Sequence, residues 1–373
     1  MITIIGVGDI MPGGLLSDST RSCANKEVLD LLLKADIRCG TFECAFGNEP
    51  TYDEEKVSDR GNVIYAKDAD VRRLKELRMD VVSLANNHFF DLGEKGAAHT
   101  IELLDKEGIM HCGAGKNLKE AGAPVVMEIK GKKVAFLAFC DTDYNHVFKC
   151  TYATESSPGI NPMQKDYVVE EIKKYAKQYD HVVVLAHWGS EHTFCPNTST
   201  AKMAKLMLDA GACLVLGSHP HRVQPIVNSA KGSIIYSMGN FLFPERLIAP
   251  PKITYYPTEP IDYSTLPVTE NYPIVKQVTF KTLPFLARVG MIVTSEVDDH
   301  FVKSSFVFSY LNKENCLELL DEKRSKKLKR TINRVGIHMK RSYYPFYFKF
   351  SRYKESFLSK VRAFKNKTQK HKS

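Results

Sequence analysis

The sequence lacks a paired-cysteine framework, a bilayer-length apolar run and an internal repeat, and from Lys323 onward it is almost without acids. Its nine cysteines are odd in number, and the closest two, Cys39 and Cys44, are separated by four residues. That pattern argues against a disulfide scaffold and a thiolate zinc site, and for buried, reduced thiols in a reducing compartment. No apolar run approaches the roughly 20 residues needed to span a bilayer. The opening MITIIGVGDIMPGG enters an apolar strand at once, without a basic leader or a small-residue cleavage site. We therefore expect no secretory leader and a protein of the cytoplasm, or one attached to the inner membrane face. The absence of a repeat excludes solenoids and propellers.

What is present is a chain of 373 residues, 43% hydrophobic and 25% charged, able to bury a substantial core as one large domain with an extension. The net charge of +9 hides an asymmetry: Lys323 to Ser373 holds 18 Lys and Arg against one acid, Glu355, so the body before it is acidic. Such a division points to a body with one task and an arm with another. We divide the chain into a domain over 1–312 and a basic, aromatic-rich extension over 313–373.

Short runs such as TIIGVGD, DVVSLAN, VAFLAF, HVVVLAH and ACLVLGSH are rich in Val, Ile and Leu and end in polar residues, as strands buried on both faces do. Between them NKEVLDLLLKA, DADVRRLKELRM, GAAHTIELLDKEG, DYVVEEIKKYAKQY and TAKMAKLMLDAG carry apolar residues at helical spacing. The alternation predicts an α/β protein with crossover helices. Hairpins are expected at Lys130 to Lys132 and at Ala230 to Gly232, and later strands follow one another without helices, so the sheets should be mixed and face each other with helices outside. Pro244 to Pro273, rich in Pro and Tyr, reads as a long surface loop, either a functional lid or disordered, that would shape pocket specificity.

In open α/β sheets chemistry collects where strands end. Here GVGD ends on Asp9, TFE on Glu43, SLANNH on Asn86, Asn87 and His88, VVLAHWGSE on His187 and Glu191, and VLGSHPH on His219 and His221. Singly each has a plainer reading: Asp9 as a helix cap, the asparagines as turn residues, a histidine as a hydrogen-bonded core residue. Five strand ends that all finish in carboxylate, amide or imidazole point instead to one or two divalent ions of Mn, Fe, Zn or Mg.

The order GDIMPGG, TFE, SLANNHFFDLG, AHWGSE, GSHPHRVQP and YSMGNFLF resembles the bacterial capsule-biosynthesis CapA family, also called poly-gamma-glutamate synthesis proteins, itself similar to calcineurin-like metallophosphoesterases. The resemblance covers roughly residues 1–243. It implies a four-layer sandwich, two mixed β-sheets flanked by helices. It also implies metal ligation by Asp9, Glu43, Asn87, His187, His219 and His221, with Glu43 between two ions and His88 as general acid. Asp91 would orient His88, while Glu191 and Asn240 match the family pattern and Asn86 lies in the same motif. Two departures stand out: Met11 replaces a metal-binding histidine, and Thr41 stands where the phosphoesterase motif has Asn. One set then keeps Asp9, Glu43 and His221, the other Glu43, Asn87, His187 and His219, so one ion would be held tightly and the other weakly or not at all.

The implied activity is hydrolysis of a phosphorylated or polymer-related substrate by metal-activated water in the making of capsule or another extracellular polymer. The alternative is an accessory protein for polymer assembly or export that keeps the fold without catalysis. For the extension, bases interleaved with Tyr and Phe fit an anionic membrane surface better than nucleic acid, with a solvated tail as the plain alternative.

Overall fold

Along the strand Lys132–Asp141, Phe136, Ala138 and Cys140 point one way and Ala135, Leu137 and Phe139 the other, and both sets are buried. The first set joins Ile4 of the other sheet in the core between the two; the second joins Val168, Ile172 and Met207 of the helices Lys165–Ala176 and Thr198–Ala210. A strand covered on both faces needs apolar residues at every position, which is why these runs lack polar alternation.

The computed structural model describes residues 1–48, 62–144, 150–270 and 274–353. In the first sheet Ile2–Ile10 is central. Ile37–Phe42, Val81–Ser83 and Met110–Cys112 run parallel to it on one side. The other side is antiparallel, with Val289–Val297, Val302–Leu311 and Leu317–Leu319. In the second sheet Lys132–Asp141, His181–His187, Leu214–Ser218 and Gly232–Ile235 are parallel. Hairpins add Val125–Ile129 and Ile226–Ser229 at the expected turns. Helices Lys26–Leu32, Val71–Glu76 and Gly93–Lys106 contribute Val28, Leu74 and Leu104 to the core of the first sheet. The architecture is the expected four-layer sandwich of two mixed sheets flanked by helices.

The segment read as a long loop is different. Arg246–Ala249 pairs antiparallel with Ile253–Tyr255 and with Thr279–Lys281, which Val268–Thr269 extends, giving a small four-stranded sheet. Leu247, Ile248 and Ile253 are buried, and the Tyr256 hydroxyl donates to Tyr65 O and accepts from Gly14 N. The prolines and tyrosines suggested surface irregularity, but the backbone between them finds strand partners that are distant in sequence. Residues 271–273 of that segment lie outside the described residues.

The extension begins as structure: Leu317–Leu319 hydrogen-bonds to Val302–Leu311, and Asp321 caps the helix Glu322–Met339 by accepting from Arg324 N. Leu328, Ile332 and Val335, at helical spacing, are its buried side chains. Residues 344–353 are helical as well, while 354–373 of the extension lie outside the described residues. No helix among the described residues is long and apolar enough to cross a membrane.

Candidate metal centre

The parallel strands of both sheets release their carboxyl ends at one edge, and there the polar residues of the sequence motifs meet. Two glycines allow the closest approach. A Cβ on Gly8 would stand 1.8 Å from Gly239 O, and Gly239 itself has φ +67°, so GVGD and SMGN touch and Asp9 N donates to Gly239 O at 2.9 Å. Asp9 and Asn240 are thereby in register.

After Leu214–Ser218 the chain turns through His219 at φ +90° and His221 at φ +48°. Such backbone angles are costly for residues with a Cβ, on the order of 1–3 kcal/mol each, and persist where surrounding structure imposes them. The turn aims the His219 amide at Asp9, 3.4 and 3.3 Å from its two carboxylate oxygens, and folds both rings inward.

Two donor sets share Glu43. In one, ligand atoms of Glu43, His187 and His219 lie within 4.8 Å of one another; in the other, so do those of Asp9, Glu43 and His221. His187 Nε2 faces Asn87 Oδ1 at 2.7 Å, His219 Nδ1 at 3.1 Å and Glu43 Oε1 at 3.5 Å. One ring hydrogen cannot serve three such neighbours. Neither Glu43 oxygen has a hydrogen-bond partner, and neither does Asn87 Nδ2, although all are buried. A carboxylate enclosed in this way costs several kcal/mol unless a cation compensates it. This chain therefore offers O and N donors that fit a divalent ion, and the orphaned carboxylate is the observation that says so.

Electrostatics separate the sets. Burial pushes His187 and His219 well below the usual imidazole range, helped by neighbouring histidines, which keeps both rings neutral as ligands must be. Burial first and Asp9 next push Glu43 well above the usual carboxylate range. Burial would also lower His221, but Glu43 and Asp9 outweigh it and hold that ring well above the ordinary value. His221 Nδ1 is 3.4 Å from Asp9 Oδ2 and 2.8 Å from Asn240 Oδ1, while its Nε2 is 3.6 Å from Glu43 Oε1. A protonated His221 can thus stand between the carboxylates of the second set; the first set has no such internal cation.

Supporting residues orient these groups. His88 Nδ1 donates to Asp91 Oδ2 at 2.7 Å, the same oxygen that accepts from Ile64 N. Asn86 sits behind them, accepting from His88 N and donating to Phe42 O. Glu191 joins neither donor set; its carboxylate is 3.6 Å from His192. Trp188 donates to Tyr236 O inside the core. Met11 is fully buried among apolar residues.

Residues 3–245, which carry every donor named above, match the profile of the bacterial capsule synthesis protein family PGA_cap. The chain belongs to this family. Among curated members, the capsule biosynthesis protein CapA of Bacillus anthracis is 34% identical over 251 residues, spanning 65% of this chain and 60% of its own. The PGA biosynthesis protein CapA of Bacillus subtilis is 31% identical over 243 residues, with 64% and 62% covered. The chain thus spans less than two thirds of the length of these relatives. Among solved structures, the NAD nucleotidase NadN of Haemophilus influenzae aligns over 89% of this chain and 62% of its own, at 11% identity and a TM-score of 0.40, too loose a likeness for a functional conclusion.

Within this capsule-synthesis fold one supporting pair escaped the sequence reading. Ser218 Oγ lies 3.0 Å from His187 Nδ1 and accepts from the Thr41 hydroxyl at 2.8 Å. A ring that donates from Nδ1 to Ser218 presents its Nε2 lone pair to the donor set. Thr41, noted only as a departure from the phosphoesterase motif, belongs to the device that orients His187. The adjacency of Ser218 to His219 was the one available signal.

Proposed function

We propose that this capsule-synthesis family member is a metal-dependent hydrolase that cleaves a phosphoester in the making of capsule or another extracellular polymer. The observation that carries the reading is the convergence of Glu43, Asn87, His187 and His219 on one buried point where neither Glu43 oxygen has a hydrogen-bond partner.

When bound there, a divalent ion lowers the pKa of a water and polarises an ester oxygen. The protein's own groups do the rest. Glu43, His187 and His219 would hold the ion, Asn87 would complete that set, and Ser218 with Thr41 would keep His187 in its ligating orientation. Asp9 and His221 form the weaker second set. His88, fixed through Nδ1 by Asp91, has Nε2 to give a proton to the departing alkoxide, the role in which an imidazole is most effective near neutral pH. His88 is 5% exposed, which limits competing water around that transfer.

The test is turnover of aryl phosphates and phosphodiesters by the purified full chain with added Mn, compared with His219→Ala. A protein that takes up no divalent ion and turns over none of these esters would leave the second reading, an accessory role in polymer assembly or export. Met11 favours that reading, since it withdraws an imidazole from the Asp9 set. Polymer production by cells carrying His88→Ala discriminates the two: a scaffold needs no proton donor.

A further inference from the structure

The helix Glu322–Met339 treats its cations in two ways. Arg324 and Lys326 meet Asp321 and Glu322 at 3.3 and 2.6 Å, whereas Lys327, Arg330 and Arg334 have no carboxylate at ion-pair distance among the described residues. Spaced at i, i+3 and i+7, these three form one stripe. With Tyr347, Ser351 and Phe194 they line a cleft of about 350 Å³.

The far wall of that cleft is the helical segment 344–353, whose inner edge is fastened to the body. The Tyr344 hydroxyl donates to Pro196 O at 2.6 Å, Ser351 Oγ meets Cys195 Sγ at 3.3 Å, and Arg352 donates to Glu191 O at 3.1 Å. The outer edge is the reverse of a normal surface: Phe346, Phe350 and Tyr353 are 76%, 68% and 73% exposed and share one helix face. Large rings left together in water mark an interaction surface. Lys349 lies among them.

We propose that residues 322–353 are a docking face for an anionic phospholipid surface, the cleft taking a lipid phosphate and the three rings entering the interfacial layer. Guanidinium groups chelate phosphate oxygens, and aromatic rings flanked by cations are stable at the boundary between headgroups and acyl chains. The charge of the partner follows from the uncompensated stripe. Its bilayer character follows from Phe346 and Phe350, which offer no polar group to a soluble anion. The inner edge of the same segment holds residues 191–196, shortly after His187, so docking also fixes the surroundings of the metal donors relative to the surface. The proposal does not depend on hydrolysis at that centre.

The experiment is co-sedimentation of the full chain with vesicles of phosphatidylcholine alone and of phosphatidylcholine mixed with phosphatidylglycerol. Binding is expected on the mixed vesicles. Each cation near an anionic surface adds roughly fivefold, so K327Q/R330Q/R334Q should bind them about a hundredfold more weakly. F346S/F350S/Y353S should release the protein as well. All six side chains are exposed, so circular dichroism and melting temperature should stay as in the parent. A parent chain that stays in the supernatant, or variants that sediment like it, would overturn the proposal. So would tighter binding to duplex DNA at the same salt, or a change in self-association in place of vesicle binding.

Discussion

His219 Nδ1 lies 3.1 Å from His187 Nε2, with Asn87 Oδ1 and Glu43 Oε1 facing the same ring nitrogen at 2.7 and 3.5 Å. Burial keeps both rings neutral, so at most one hydrogen can lie on the axis between them. One such hydrogen serves only one of the three contacts, so this buried point is short of donors.

His219→Ala removes one of the nitrogens from that point. Metal content after dialysis should fall to background and Mn-dependent turnover should drop more than about a hundredfold, beyond the loss typical of an outer partner. His221→Ala, in the set that His221 can neutralise by itself, should leave most of the tightly held ion in place. Equal retention in both variants would contradict the division into a tight and a weak set.

For His88→Ala and Asp91→Ala the expected signature is catalytic. Both should retain metal, and both should lose on the order of 10²–10⁴ in kcat toward esters with poor leaving groups, which need the proton most. Activated aryl esters should be affected less. Identical losses on both ester types would remove His88 from the role of acid.

Ser218→Ala leaves the Nδ1 side of His187 without its anchor. Ion affinity measured by competition with a chelating dye should weaken about 10–100-fold, with the fold intact by circular dichroism. Thr41→Val should act in the same direction but less strongly, because its hydroxyl reaches His187 through Ser218. An unchanged affinity in Ser218→Ala would show that packing alone orients the ring.

Lys281 gives the stability profile a defined slope. It is 1% exposed, and burial first and the Arg246 guanidinium next lower its pKa from 10.5 to about 7. Between those values the unfolded chain binds a proton that the folded chain does not, so unfolding free energy should rise with pH across that window. Denaturant titrations of Lys281→Met should show a flatter profile there. The same slope in parent and variant would mean that Lys281 stays protonated, served by the carbonyls of Glu270 and Thr282.

The layers were legible because a parallel strand under helices must be apolar at every position and a helix must repeat its apolar residues at about 3.6. VAFLAF and DYVVEEIKKYAKQY could be assigned from that requirement alone. The sheet of Arg246–Ala249 was not legible, since its partners Ile253–Tyr255 and Thr279–Lys281 are chosen by pairing and not by pattern. The helix Glu322–Met339 was obscured by the bases that surround Leu328, Ile332 and Val335.

The sequence by itself determined the inventory of the centre: carboxylates, an amide and imidazoles at the ends of buried runs, in motifs that name the family. Tertiary structure alone decided how that inventory is divided. Which ring faces which carboxylate, that Glu43 is shared, that Ser218 and Thr41 stand behind His187 and that Glu191 stands aside depend on strand register and on two left-handed backbone positions. Local pattern records the burial of each strand but carries no information on distances between strands whose order the whole chain sets.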